Sequence, residues 1–237
     1  MMKNQRKSAR WLCGVVAAGA FGLAMPAGAT VKAGGQEASV NVGAAIPTTQ
    51  YDLTSVGGSK DTMGGTGVGF GGQYLYNLTK AIGVGGEFNY ASFGNKDHSV
   101  TKAVVTSSYG TWSLEAVARY VLMPESRVNP YIIAGLGLGS VSAKATTKPA
   151  SGYAWTNTGT TESRTNFDGS ATGVAFSIGA GADADITDSL FAGLDLRWRF
   201  VGAKHDYADG VSPGTTDSIS SGSGLAVSGD LGWKFGG

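Results

Sequence analysis

Residues 172–200 read TGVAFSIGAGADADITDSLFAGLDLRWRF, and this stretch decides the fold class. Apolar residues occupy every second position over 174–184 and again over 190–200, with mainly small or charged residues between them. A period of two residues is typical of a β-strand whose two faces meet different environments. The two runs belong to predicted segments at 172–186 and 189–200. Only Thr187 and Asp188 separate these segments, so the stretch predicts a hairpin of two antiparallel strands.

The same alternation recurs along the chain. It defines eight segments, each near or above the 9–11 residues that a tilted membrane-spanning strand requires. They are residues 38–47, 66–78, 81–93, 109–121, 130–141, 172–186, 189–200 and 224–235. Glycine contributes 39 of the 237 residues, which disfavours a helical bundle because each helical glycine costs about 1 kcal/mol. The chain is therefore predicted to be all-β.

The connections between these segments alternate in length. Short connections follow the second, fourth and sixth segments, at 77–80, 123–129 and 187–188. Long connections follow the others, at 48–65, 94–108, 142–171 and 201–223, and are rich in Ser, Thr, Gly and Asn, a mobile and weakly folding composition. Short periplasmic turns and long extracellular loops are the topology of an outer-membrane barrel. The pattern predicts an eight-stranded antiparallel up-and-down transmembrane β-barrel with four mobile extracellular loops.

Aromatic residues on the apolar face indicate which side of the barrel meets lipid. Two aromatic belts on either side of an aliphatic band are typical of a lipid-facing surface. The periplasmic belt is predicted to contain Tyr74, Tyr76, Tyr120, Trp233 and Phe235, and the outer belt Phe88, Tyr90, Tyr109, Trp112, Trp198 and Phe200. The opposite face is small and polar, whereas the interior of a soluble eight-stranded barrel such as a lipocalin needs large side chains. A secreted soluble barrel is therefore the less favoured alternative.

The N-terminus has the parts of an export signal. Four basic residues among the first ten precede a short apolar run at 11–23, and the AGA sequence at 27–29 forms a cleavage site. The run is shorter than the ~20 residues that a membrane-spanning helix requires. Residues 1–29 are predicted to be a cleavable signal peptide and residues 30–237 the outer-membrane barrel domain. Cys13, the single cysteine, lies in the signal, so no disulfide is expected in the mature chain.

Three stretches resemble a known group of small barrels. They are YNLTKAIGVGGEFNY at 76–90, NPYIIAGLGLG at 129–139 and LGWKF at 231–235. They are similar to the second hairpin, the fifth strand and the last strand of the group that includes the OmpA transmembrane domain, the opacity-type porins and OmpW. The resemblance implies a bacterial outer-membrane location, contact with lipid and lipopolysaccharide, and recognition of the last strand by the outer-membrane assembly machinery.

Charged residues on the polar face are predicted to line the barrel lumen as one network. They are Glu87, Glu115, Arg119, Asp183, Asp185, Asp195, Arg197, Arg199, Asp230 and Lys234. Counting from the periplasmic turns puts Glu87, Glu115 and Asp195 at similar depth, where three unpaired carboxylates would be costly. Arg197 is expected to bridge at least one of them. An eight-stranded barrel is just wide enough for side chains to fill, which favours a structural plug over a gate for small solutes.

The remaining motifs do not indicate catalysis. His98 and His205 are the only histidines, and both are expected to be solvated loop residues. His205 next to Asp206 faintly resembles a membrane-embedded protease, but no second acidic pair accompanies it. The GVGFGG sequence at 67–72 fits a dinucleotide fingerprint without the strand–helix unit that such a site needs. No catalytic residue, cofactor site or metal site is predicted.

These observations predict a non-enzymatic outer-membrane barrel with a structural and surface-interaction role and a lumen largely plugged by ion pairs. The alternative is a small porin-like or OmpW-like channel for small solutes or apolar molecules. The near balance of 18 basic and 17 acidic residues does not suggest nucleic acid as a partner. An extracellular ligand at the loops is a further candidate partner.

Overall fold

The computed structural model describes residues 31–51, 61–62, 64–100, 103–150, 164–203, 205–208, 216–219 and 221–236, and they form twelve β-strands. The strands are β1 (Gln36–Pro47), β2 (Gln50–Tyr51), β3 (Asp61–Thr62), β4 (Gly65–Asn77), β5 (Ile82–Val100), β6 (Ala103–Val121), β7 (Val128–Pro149), β8 (Arg164–Asp185), β9 (Leu190–Gly202), β10 (His205–Ala208), β11 (Thr216–Ile219) and β12 (Gly222–Phe235). The predicted signal peptide lies outside the described residues and stays a prediction. Within the described residues, no helix has the length and hydropathy needed to cross a membrane.

Eight of these strands close into one antiparallel barrel, in the order β1-β12-β9-β8-β7-β6-β5-β4. The pairing of β1 with β12 closes the ring, from Gln36 opposite Phe235 to Pro47 opposite Gly224. The short strands form two separate sheets, β2 with β3 and β10 with β11. Each of the eight alternating segments becomes one barrel strand, so the predicted eight-stranded antiparallel barrel is confirmed.

Threonine hydroxyls organise two of the short turns at the end predicted to be periplasmic. Thr79 Oγ1 accepts hydrogen bonds from the N–H groups two and three residues further on, at 3.2 and 3.0 Å. Thr187 Oγ1 does the same, at 3.3 and 3.0 Å. A hydroxyl bonded in this way is a common turn device for serine and threonine. A hydrogen bond also joins the first of these turns to the connection between β6 and β7. Lys80 Nζ donates to Glu125 Oε1 at 2.9 Å, and this hydrogen bond lowers the pKa of Glu125.

Two of the predicted long loops are largely strand, which corrects the sequence prediction. Most of residues 94–108 belong to β5 and β6, and much of residues 142–171 belongs to β7 and β8. β7 and β8 have 22 residues each and β1 has 12, a difference of about 30 Å of extended chain. The strands β5 to β8 therefore extend well beyond the other four on one side of the barrel.

The physical reason is that the two faces of these long strands exchange polarity at the outer end. The inward side becomes mainly apolar and forms an outer apolar cluster of Ala45, Phe93, Val105, Tyr109, Val141, Ala143, Ala145, Ala171, Ala175, Val201 and Ala203. On the outward side the extension carries polar residues such as Thr106, Ser142 and Ser170. Apolar and polar residues still alternate beyond the point where the faces exchange polarity. A prediction that follows the outward apolar face nevertheless ends the strand there, because that face becomes polar.

Between the exchange of polarity and the short turns, the outward face of the barrel carries large apolar side chains. Leu114, Leu136 and Leu138 are each about 60% exposed, which fits a surface covered by lipid. The aromatic residues Tyr74, Tyr76, Phe88, Tyr90, Trp112, Tyr120, Trp198, Trp233 and Phe235 are also exposed on this face. Tyr109 was predicted for the outer belt, and this prediction is wrong. Its side chain is 3% exposed and packs against Phe93 inside the barrel, with ring centroids 4.8 Å apart.

Inward glycines make room for the large side chains that fill the barrel. A Cβ atom at Gly232 would lie 2.2 Å from the ring of Phe191, and one at Gly181 would lie 2.4 Å from the hydroxyl of Tyr131. Small and large inward residues thus occur side by side, as is common in small barrels. Much of the unusual glycine content therefore serves to pack the lumen.

Candidate functional site in the barrel lumen

All ten charged residues predicted for the lumen lie on barrel strands and are buried or half-buried. The most buried are Glu87, Glu115, Arg119, Asp183, Asp195 and Arg197, each at most 5% exposed. Glu37 on β1 joins them at 3% exposed. The sequence prediction does not include Glu37 because the first predicted segment begins at Ala38, although counting back in twos from the inward Ser39 reaches Glu37. The charged residues form two layers, one nearer the outer apolar cluster and one nearer the periplasmic end.

Arg197 on β9 is the centre of the outer ion-pair layer. Its Nη2 donates to Asp195 Oδ2 at 2.6 Å, and its Nη1 donates to Glu87 Oε2 on β5. In the closed ring of eight strands, β9 and β5 are four strands apart in either direction. The Arg197 side chain therefore connects opposite walls of the barrel. Arg199 Nη2 makes a second connection across the lumen to Glu87 Oε1, at 2.8 Å.

Glu87 and Glu115 are direct neighbours in the pairing of β5 with β6, but their partners differ. Glu87 also accepts a hydrogen bond from Gln73 Nε2 at 2.7 Å. Glu115 is held by two hydroxyls instead, Ser113 Oγ at 2.6 Å and Ser177 Oγ. Glu115 makes no ion pair with any described residue, so Arg197 contacts two of the three carboxylates that were considered for it.

Arg119 on β6 is the centre of the periplasmic ion-pair layer. Its Nη1 donates to Asp183 Oδ2 on β8 at 3.0 Å, and its Nη2 donates to Glu37 Oε2 on β1. Lys234 on β12 pairs with Asp185 on β8 at 2.5 Å. These contacts join strands that are two or three places apart in the ring, so this layer also spans the lumen. Beside it lies a periplasmic apolar cluster formed by Val31, Leu75, Val117, Val121, Tyr131 and Ile133.

Little free space remains between these layers. One cavity of about 10 Å³ is lined by Asp195, Asp230 and Arg197 together with other polar residues, and another of about 30 Å³ lies beside Arg199. Asp230 makes no ion pair with any described residue, and its Oδ2 has no hydrogen-bond partner. The Oδ1 of Asp195 is also unpartnered, although Tyr131 donates to its Oδ2 at 3.1 Å.

The match to a protein-family model decides the family. A model described as the outer membrane protein beta-barrel domain matches residues 15–235 of the chain. The chain belongs to this family. It is accordingly a protein of the bacterial outer membrane, and the exposed apolar face between its aromatic residues contacts lipid. A search of curated protein sequences finds no match.

Several outer-membrane barrels of known structure are similar in fold to this protein. OprG from Pseudomonas aeruginosa is 14% identical, with a TM-score of 0.52, and the match covers 88% of this chain and 99% of OprG. Neisserial surface protein A is 14% identical over 84% of this chain and 96% of that one, with a TM-score of 0.49. The Ail protein of Yersinia pestis, solved in complex with the heparin analogue sucrose octasulfate, is 17% identical over 84% and 99%, with a TM-score of 0.43. At these identities the likeness concerns the fold alone.

The histidine whose side chain the structure of this outer-membrane protein describes, His98, does not lie where the sequence predicts it. His98 was expected to be solvated, but it lies in β5, is 6% exposed, and its Nε2 is 3.1 Å from Ser107 Oγ. The side chain of His205 lies outside the described residues. Within the described ranges, no three His, Cys, Asp or Glu side chains come together as ligands of one metal ion, so a cation held by described residues would have at most two such ligands.

The charges of the two ion-pair layers do not balance. They contain seven carboxylates, Glu37, Glu87, Glu115, Asp183, Asp185, Asp195 and Asp230, and four cationic side chains, Arg119, Arg197, Arg199 and Lys234. The formal excess is three negative charges. An aqueous path through this lumen would therefore attract cations and exclude anions. Chemically the arrangement can hold the walls together and select charge.

Proposed function

We propose that this outer-membrane protein is a closed barrel with a structural and surface-interaction role. The observation that carries the proposal is the position of Arg197, whose guanidinium joins Glu87 and Asp195 on opposite walls. A solute that crossed the lumen would have to break these contacts. Breaking a buried ion pair is strongly unfavourable because it leaves a charge without a partner in a poorly solvated site.

The layers above and below Arg197 support the same interpretation. On the periplasmic side, Arg119 makes a second set of ion pairs across the lumen. On the outer side, the outer apolar cluster fills the barrel between the long strands β5 to β8. An ion would lose its hydration in the apolar cluster and then meet two layers of paired charges.

The surface-interaction part of the role rests on the extension of β5 to β8. Its outward face is polar, and Lys144 pairs with Asp168 there at 2.7 Å. This pair is at least half exposed and contributes little to stability. The extension thus presents a polar sheet beyond the lipid, where lipopolysaccharide and extracellular ligands are accessible. The last strand, β12, is the candidate contact for the assembly machinery.

Conductance in planar lipid bilayers tests the closed state. We expect the refolded wild-type barrel to conduct little, because both ion-pair layers and the outer apolar cluster obstruct the lumen. Arg197→Ala should raise the frequency of cation-selective openings, whereas Lys144→Ala, which removes an exposed cation, should leave the trace unchanged. Large and steady conductance of the wild type would instead establish the alternative function, a small porin-like or OmpW-like channel.

A further inference from the structure

The cavity between the two ion-pair layers contains carboxylate oxygens that no group in the described part of the chain satisfies. Asp195 is 4% exposed and lines this cavity, and its Oδ1 has no hydrogen-bond partner. Asp230 lines the same cavity, and its Oδ2 is likewise buried without a partner. Unpaired buried carboxylate oxygens are unfavourable and call for a ligand that carries a positive charge. We propose that this cavity binds one monovalent metal cation of the Na⁺ or K⁺ type between Asp195 and Asp230.

The formal charges of the side chains that line the cavity match a ligand with a single positive charge. Three carboxylates line it, those of Asp183, Asp195 and Asp230, together with two guanidinium groups, those of Arg119 and Arg197. The terminal nitrogens of both arginines already donate to carboxylates: Arg119 to Glu37 and Asp183, and Arg197 to Glu87 and Asp195. The lining therefore has one formal negative charge in excess, which one monovalent cation would neutralise.

Size and ligand chemistry select among cations. The cavity of about 10 Å³ corresponds to a single water-sized sphere, so the ion would enter without its hydration shell. Side chains of Ser39, Asn41 and Gln73 also line the cavity and can supply neutral oxygen atoms. Mg²⁺ usually keeps several water molecules, for which this cavity has no room, and the two charges of Ca²⁺ would exceed the single negative charge of the lining. The site is therefore suited to a small monovalent cation and unsuited to a hydrated divalent one.

The dependence of thermal stability on the cation tests this site. Unfolding of the refolded full chain is followed in an uncharged detergent by circular dichroism. NaCl or KCl replaces choline chloride at constant ionic strength, because choline is too large for the cavity. In the wild type, the midpoint of unfolding should rise by roughly 3–6 °C for each tenfold increase of Na⁺ or K⁺ above its dissociation constant. Asp230→Asn should abolish this rise.

Asp185→Asn is the matched control. It also removes one lumenal carboxylate, but Asp185 pairs with Lys234 and does not line the cavity. This variant should keep the dependence on Na⁺ or K⁺. Equal midpoints of the wild type in NaCl, KCl and choline chloride would overturn the proposal, as would an equal loss of the effect in both variants. The measurement does not depend on conductance, so a conducting barrel could still bind the cation.

Discussion

Removal of the Arg197 side chain should destabilise the barrel mainly through Asp195. Glu87 would keep Arg199 at 2.8 Å and Gln73 at 2.7 Å as partners. Among the described residues, Asp195 would keep only the hydroxyl of Tyr131 as a partner, at 3.1 Å. Loss of one partner from a buried ion pair typically costs about 3–5 kcal/mol. Because Glu87 remains compensated, we expect Arg197→Ala to lower the free energy of unfolding by about 3 kcal/mol, the lower end of that range.

A second substitution identifies where the loss arises. Asp195→Asn on the Arg197→Ala background replaces the carboxylate that has lost its cation by a neutral amide of the same shape. The double variant should recover about 1–2 kcal/mol of the loss, because side chains in one network are energetically coupled. Glu115→Gln on the same background is the comparison, since Glu115 is held by Ser113 and Ser177 and not by Arg197. It should recover less.

Urea unfolding in lipid vesicles, followed by tryptophan fluorescence, measures these free energies. Arg199→Ala is a further control because the Arg199 side chain is 21% exposed and Glu87 would retain Arg197. Its effect should be clearly smaller than that of Arg197→Ala. Strictly additive effects of Arg197→Ala and Asp195→Asn would refute the reasoning, since they would show that the two side chains do not share a network. A loss below about 1 kcal/mol for Arg197→Ala would refute the assumed cost of an uncompensated buried charge.

Two further predictions use matched positions on the same structure. Leu136→Arg, on the lipid-facing side of β7, should lower the free energy of unfolding by about 2–4 kcal/mol. Ser142→Arg, six residues further along the same face, should lower it by at most about 1 kcal/mol. Equal unfolding free energies of the two variants in vesicles would contradict the assigned membrane boundary. Gly181→Ala should lower stability by about 1–3 kcal/mol because its Cβ would lie 2.4 Å from the hydroxyl of Tyr131. Gly86→Ala, whose Cβ would have its nearest neighbour at 3.9 Å, should be nearly neutral, and heat-induced unfolding of both variants measures the difference.

The charged residues of the lumen could be found from sequence because strand geometry is regular. Successive side chains of a strand point to opposite faces, so the alternation that places Leu194 and Leu196 outside places Asp195 and Arg197 inside. The partners of these residues could not be found in the same way. Arg197 contacts Glu87, which is 110 positions away in the chain, and that contact depends on barrel closure and strand stagger.

The amino-acid sequence by itself determined the number of barrel strands, the face that most of their side chains take and the positions of the three short turns. These properties are local, because a period of two residues and the residues of a tight turn act within a few positions of the chain. Tertiary structure alone decided how far β5 to β8 extend, because polarity exchanges between their faces at the outer end. It also decided that Tyr109 and His98 are buried and that Glu115 is bonded by serine hydroxyls instead of arginine. Burial and pairing of this kind follow from the closed ring, which brings residues distant in sequence to one depth of a narrow lumen.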